Sequence, residues 1–395
     1  MHLAGRRPPP RHASLALIRH PISKVELDHA LVLRFDAPNT ATGEDVVEYQ
    51  CHGGRAVIAA VLDALTSIEG IRLAEPGEFS RRALANGRID LMEAEGLADL
   101  LEAETEQQRR NALALSGGEL SRQVNLWQTH ILSLSARAEA AIDYVGDEDE
   151  TATDVSLLVR EARALGAELA KWLERPRAEP LKEGIRIVVA GPPNSGKSSL
   201  INALTGADRA IVTPIAGTTR DTIEVPLAIR GMPLLLVDTA GLRETKDPVE
   251  VIGIERALLE VERAEILVWL GDWDHLPHHS CAIVVRSKSD LCETAMADRS
   301  ELLVSATTGA NLPLLIDRLT VMAATLLPSS TQLALNNRQA QAIESAALPL
   351  LACPSDLLLL AEILRSARVA FDRLTGRAGI NDVIDALFTR FCLGK

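Results

Sequence analysis

The chain has 395 residues, 47% of them hydrophobic and 24% charged, with a formal net charge of −13. That length holds two or three well-cored domains, and no apolar run is long enough to predict a membrane span. The acidic balance excludes wholesale wrapping of nucleic-acid phosphates, so any RNA contact has to be a local basic patch. Five cysteines (Cys51, Cys281, Cys292, Cys353 and Cys392) are scattered, odd in number and without C-x-x-C spacing. That pattern predicts reduced thiols in the cytoplasm, with no disulfide frame and no zinc site.

Residues 1–12 carry Arg6-Arg7-Pro8-Pro9-Pro10-Arg11 and predict a disordered tail, the prolines breaking any amphipathic transit helix. Ser14–Arg19 and Ala30–Phe35 read as strands. From Asn86 to about Pro180 the pattern is helical. One helix carries Leu91, Ala94, Leu97 and Leu101 and ends before Gly117-Gly118. Another places Leu120, Val124, Trp127, Ile131, Leu134, Ala138 and Ala141 on one apolar seam, the core stripe of a helix bundle.

A buried strand over Gly184–Ala190 then runs into Gly191-Pro192-Pro193-Asn194-Ser195-Gly196-Lys197-Ser198, which spells G-x-x-x-x-G-K-S. With a strand before it and a helix after it, this is a P-loop, whose backbone N–H groups wrap phosphate oxygens at a helix N-terminus. The phosphate-binding set is Asn194, Ser195, Gly196, Lys197, Ser198 and Ser199. Lys197 is the candidate catalytic cation on the β- and γ-phosphates, and the Ser198 hydroxyl is the candidate Mg²⁺ ligand.

Four later segments predict a GTPase. Gly217-Thr218-Thr219-Arg220-Asp221 is a polar loop whose threonine can sense the γ-phosphate through the metal. Leu234–Asp238 is a buried strand ending in Asp238-Thr239-Ala240-Gly241, with Asp238 on the metal side and Gly241 close to the γ-phosphate. Ser287-Lys288-Ser289-Asp290 follows the strand Cys281–Arg286, and Asp290 can accept from the two guanine N–H groups that adenine lacks. Ser305-Ala306-Thr307, after Leu302–Val304, supplies a backbone donor for the guanine oxygen. Each lies at the carboxyl end of a strand, where open α/β sheets bind ligands.

Two positions depart from the usual pattern. Ser287 stands where N-K-x-D has asparagine, and its shorter side chain predicts lost contacts to the base edge and to the P-loop. Leu242 follows D-T-A-G where Ras-like GTPases carry a water-orienting glutamine, so the orienting group has to come from elsewhere. Residues 243–250 offer carboxylates ahead of a helix predicted over Val251–Val261.

Taken with Ala37–Glu48, Gln50-Cys51-His52-Gly53-Gly54, Pro76–Ser80, I-G-I-E-R-A and the terminal Phe391-Cys392-Leu393-Gly394-Lys395, these motifs resemble the MnmE (TrmE) family of tRNA uridine-modification GTPases. The resemblance covers about residue 31 to the end. It implies an α/β P-loop GTPase domain with a mixed, mostly parallel sheet, inserted into an all-α helical domain, plus a small, shortened α+β amino-terminal domain. The implied borders are 1–86 for the amino-terminal domain, 87–180 for the first helical half, 181–327 for the G domain and 328–395 for the second helical half. Both ends of the G domain are then anchored in one bundle, which can feel its motions.

The resemblance also implies that GTP hydrolysis is stimulated by K⁺ and by G-domain dimerisation. Asn194, Thr213, Ile215 and Thr218 would hold K⁺, while Ser198, Thr219 and Asp238 would hold Mg²⁺. Glu250 would be the catalytic acid that orients water, and Cys392 a further catalytic candidate in the C-x-G-K tail. A folate derivative (formyl- or methylene-tetrahydrofolate) would meet Arg19, Glu48, Arg88 and Lys395, with Arg88 standing where the family has lysine. The implied assembly is a homodimer that joins an MnmG-type FAD- and NADH-dependent partner in a heterotetramer, acts on the wobble uridine of tRNA and contacts no membrane. The alternatives are an Era- or Der-like ribosome-assembly switch and a degenerate member retaining only GTPase activity. No G-x-x-G with basic flanks, as a KH domain requires, follows residue 330.

Overall fold

The computed structural model describes residues 2–143, 154–206, 210–212, 223–239, 258–291, 302–328, 332–378 and 381–391. It divides into two compact units, Met1–Leu101 with Asp372–Lys395, and Glu102–Phe371.

The first unit holds an antiparallel sheet in the order β1-β2-β3, with β1 Ser14–Arg19, β2 Glu26–Phe35 and β3 Val46–Gln50. The period of two turns Ala16, Ile18, Ala30 and Val32 inward against Val61 and Ala64 of helix α1 (Arg55–Thr66). The connection between β1 and β2 is a tight reversal, with His20 N donating to Val25 O at 2.9 Å, and the small sheet encloses a core.

The expected disordered tail is corrected here. Leu3 is buried in that core at 2% exposure, and its carbonyl accepts from Arg19 N at 2.9 Å. Pro10 and Arg11 run beside β2, with Arg11 N donating to Arg34 O at 2.8 Å. Prolines forbid a helix, but they suit an extended segment at a sheet edge.

A second core in this unit joins Leu91, Ala94 and Ala98 to Leu387, Phe388 and Phe391. They come from α3 (Leu91–Glu102) and from the helix Asn381–Phe388 and the residues after it. Gly77, at φ 70°, lies so close that an added Cβ would stand 2.9 Å from Phe388 O.

The second unit opens with α4 (Glu106–Ser116), α5 (Glu119–Asp143) and α6 (Val155–Leu173). Sequence periodicity gave one helix before Gly117, whereas the structure has two. The reason is Thr105, which caps α4 by accepting from Gln108 N, while the Gln108 side chain accepts from Thr105 N. The α5 seam is as expected for Leu120, Val124, Trp127, Ile131, Leu134 and Ala138. Trp127 stacks on Phe371 at 5.7 Å and meets Trp172 edge-on at 5.3 Å. The helix Asn337–Leu351 packs along α6, so closely that a Cβ on Gly166 would lie 2.8 Å from Leu351 N.

Between these helices sits a seven-stranded sheet in the order β10-β9-β8-β4-β7-β6-β5. Its strands are β4 Ile185–Ala190, β5 Ala210–Val212, β6 Ile223–Ile229, β7 Met232–Asp238, β8 Ile266–Trp269, β9 Ala282–Arg286 and β10 Leu302–Leu303. Pairing is parallel from β10 through β7 and antiparallel from β7 to β5, the expected mixed, mostly parallel sheet. Near-continuous apolar runs in β4 and β7 fit strands covered on both faces. Helix α8 (Lys197–Thr205) and the helix Leu312–Leu326 bury Leu200, Leu204, Leu315 and Leu319 against it. Among the described residues no helix is long and apolar enough to cross a membrane.

Candidate nucleotide-binding site

The site forms where β4, β7, β9 and β10 end. β4 feeds the loop 191–196, which enters α8 through Gly196 in the left-handed region, at φ 91°. Gly191 is fixed by packing as well as conformation. At φ 151°, a Cβ there would stand 2.5 Å from Leu270 O, because Leu270 N donates to Ala190 O at 2.7 Å and draws that strand end over the loop.

Lys197 is buried and its Nζ donates to Gly191 O at 3.0 Å and Pro192 O at 2.9 Å, so the ammonium is folded back along the loop. Ser198 Oγ donates to Asp238 Oδ2 at 2.8 Å, bringing the two expected metal-side residues together across β4 and β7. Asp238 is only 3% exposed, and the neighbouring Thr239 Oγ1 donates to Val189 O at 2.9 Å, locking the end of β7 to β4. A hydroxyl and a buried carboxylate at hydrogen-bond distance are the hard oxygen donors that a small divalent cation takes. A cavity of about 580 Å³ opens beside them, lined by Ser198, Ile201, Asn202, Thr205, Val225 and Asp238.

On the base side, Ser305 Oγ donates to Asp290 Oδ1 at 2.5 Å and accepts from Thr308 N at 3.1 Å. Ser305 therefore aims the carboxylate, a role the sequence reading missed by assigning that segment only a backbone donor. Ala306 and Thr307 form the turn that follows. Lys288, at φ 59°, stretches back to donate from Nζ to Asn194 O at 2.8 Å. Ser287 Oγ donates to Ser195 O. The expected loss of the P-loop contact at Ser287 is therefore corrected: the two loops approach closely enough for a serine hydroxyl to span them. Ser199 is exposed in the first turn of α8, and Ser195 Oγ is buried with no hydrogen-bond partner among the described residues.

The expected residues Thr213, Ile215, Gly217, Thr218, Thr219, Ala240, Gly241, Glu250, Cys392 and Lys395 lie outside the described residues, as does Leu242.

Comparison with known proteins now adds to the geometry. Residues 91–392 match the family described as MnmE helical domain, and residues 2–88 match the GTP-binding protein TrmE N-terminus. The chain belongs to the MnmE family. Among relatives named tRNA modification GTPase MnmE, that of Sphingopyxis alaskensis is 50% identical over all of this chain and 97% of its own length. That of Rhizorhabdus wittichii is 51% identical over 98% of this chain and 88% of its own, and that of Erythrobacter litoralis 49% over 100% and 92%. The G domain of the T. maritima FeoB iron transporter covers 35% of this chain at 24% identity and a TM-score of 0.26, too distant to carry an argument.

Within this MnmE-family chain two of the described folate candidates, Arg19 and Glu48, stand apart. Arg19 pairs with Glu26 at one end of β2, its guanidinium 3.0 Å from the Glu26 carboxylate, while Glu48 pairs with Leu33 near the other end. At about 3.4 Å per residue, seven residues of strand put them roughly 24 Å apart. Arg88 lies elsewhere, its side chain against Gly43 in the loop before β3.

Proposed function

We propose that this chain hydrolyses GTP to drive modification of the wobble uridine of tRNA, adding an aminomethyl or carboxymethylaminomethyl group at C5 together with an MnmG-type FAD- and NADH-dependent partner. The single observation that carries the GTP half is the paired ends of the site, Ser198 on Asp238 and Ser305 on Asp290. One pair suits the metal side of a triphosphate and the other suits the guanine edge. The tRNA half rests on membership of a family whose members are named tRNA modification GTPases.

In this reading the P-loop amides and Lys197 bind the phosphates, Lys197 exchanging its two loop carbonyls for phosphate oxygens. Asp290 accepts the guanine N–H groups with its carboxylate held by Ser305. Ser198, Thr219 and Asp238 would hold Mg²⁺, and Asn194, Thr213, Ile215 and Thr218 would hold K⁺. Held there, K⁺ would supply positive charge where negative charge builds on the phosphates, the part an arginine plays elsewhere. Glu250 orients the attacking water, a role Leu242 cannot fill. Arg19, Glu48, Arg88 and Lys395 are the folate contacts, which at the separation of Arg19 from Glu48 requires residues from both protomers of a homodimer. Cys392, in the C-x-G-K tail, is the further catalytic candidate, and the protein works in the cytoplasm in a heterotetramer with its partner.

Nucleoside mass spectrometry of tRNA from cells with and without this protein tests the reading. The C5-aminomethyl and carboxymethylaminomethyl uridines are expected to vanish without it and return on complementation. Identical nucleoside profiles would overturn it.

A further inference from the structure

Between the short helix α7 (Glu179–Glu183) and the P-loop, β4 reads Ile185-Arg186-Ile187-Val188-Val189-Ala190. The strand's period of two puts Arg186, its one charged residue, on the face of Val188 and Ala190. That face is otherwise apolar, Val188 and Ala190 packing with Val237, Leu267 and Val261. Val261 belongs to the helical residues 258–263, and so does Glu260.

The Arg186 guanidinium holds two carboxylates from different elements. Its Nη2 donates to Glu260 Oε2 at 2.6 Å and to Glu224 Oε1 at 2.7 Å, while Nε donates to Glu260 Oε2 at 3.1 Å. The Arg186 and Glu260 side chains are 21% and 11% exposed, so this pair is largely desolvated. The main chain of Arg186 is fixed as well. Glu265 N donates to Arg186 O at 3.0 Å, and Arg186 N donates to the Glu265 carboxylate.

Both carboxylates stand where the chain leaves a stretch expected to meet the γ-phosphate. Glu224 follows Ile223, the first residue of β6, and Ile223 pairs across the sheet with Asp238 on the metal side. In sequence β6 comes directly after the loop that carries Thr218 and Thr219, and residues 258–263 come after the stretch that carries Glu250. A desolvated ion network adds little to stability, and apolar residues of similar volume often serve as well. Its contribution is register. Valine and leucine contacts let a helix slide on a sheet, whereas a planar guanidinium accepts carboxylates only at fixed spacing.

We propose that Arg186 is a positioning residue for GTP hydrolysis, its guanidinium setting where β6 and the helical residues 258–263 stand against β4. The proposal rests on the reading that puts Thr219 and Glu250 at the γ-phosphate, since only then does the register of these two elements govern turnover.

Steady-state GTP hydrolysis by the full-length protein tests it, with GDP affinity and denaturation midpoint measured beside it. Arg186→Met alone strands two carboxylates, so the decisive variant combines Arg186→Met with Glu224→Leu and Glu260→Leu. It is expected to keep the wild-type midpoint, to bind GDP within about twofold, and to lose about tenfold in kcat with KM within about twofold. Glu224→Ala, at a side chain 36% exposed, tests the same point with less disturbance and is expected to lower kcat at least threefold. Wild-type kcat in either variant would overturn the proposal. So would a lowered midpoint, or GDP affinity falling in step with kcat, because the network would then be a plain structural support. The reading of Glu250 fails separately, if Glu250→Ala hydrolyses GTP normally while the Arg186 variants do not.

Discussion

Ser287 is a small side chain in a place that usually carries a larger one, and its hydroxyl recovers one of the two contacts at stake by donating to Ser195 O. What remains missing is the base-edge contact. Ser287→Asn is expected to tighten GDP binding roughly tenfold, about 1.4 kcal/mol, read by calorimetry. Unchanged affinity would mean that Ser305 and Asp290 already hold the base fully. Asn194, in the left-handed region at φ 59°, gives a second residue-scale expectation. GTP turnover should rise at least tenfold in K⁺ over Na⁺, about 1.4 kcal/mol of charge stabilisation, and Asn194→Ala should erase the difference. Glu250→Ala should cut kcat by about 10²-fold with nucleotide affinity unchanged. Normal hydrolysis by that variant would return Glu250 to ordinary surface charge. The meeting of Ser198 with Asp238 was legible at this scale, because the sequence placed both at the ends of adjacent strands. Ser305's grip on Asp290 was not, because it joins residues from two different loops and shows only once β9 and β10 are paired.

At the scale of elements, the P-loop turn depends on packing from outside its motif. Gly191→Ala has to displace the Leu270 carbonyl as well as adopt a positive φ. It is expected to destabilise the fold by about 2–4 kcal/mol, seen as a lowered denaturation midpoint. A midpoint within error of wild type would show that the β8 end yields freely. Helix α4 offers a pH test. Arg109 and Arg110 hydrogen-bond the Glu106 carboxylate and hold it well below the usual range, at about 2. A depressed carboxyl contributes stability above its unfolded value and loses it as pH falls from about 4.5 towards 2. NMR titration of the full chain should find that midpoint, and Arg109→Ala with Arg110→Ala should return it towards the ordinary value. A wild-type Glu106 titrating normally would dissolve the triad. Strands β4, β7 and β9 were readable as apolar runs between turn signals. The break between α3 and α4 was readable too, as T-x-x-Q at Thr105, but apolar periodicity alone runs through it. Leu3 misled for a different reason: one leucine among arginines and prolines has no period, and only the sheet shows where it anchors.

Across the whole molecule, the charge of −13 sets how tRNA can be held. A local patch that neutralises about two phosphates predicts roughly a tenfold loss of tRNA affinity between 50 and 200 mM salt. A loss of a thousandfold in a binding titration would mean a broad cationic surface instead. The packing of α6 against the helix Asn337–Leu351 has one more consequence, and it concerns synthesis. About 160 residues separate the two helices along the chain. At 5–20 residues per second, the apolar stripe of α6 (Leu158, Val159, Ala162, Leu165 and Leu169) waits roughly ten to thirty seconds on the ribosome before its partner helix exists. The intervening sheet can close its own core in that time, but the stripe cannot. Until Asn337–Leu351 emerges, the nascent chain is a natural client for a chaperone at that stripe, and slow translation past residue 327 should lower the soluble yield.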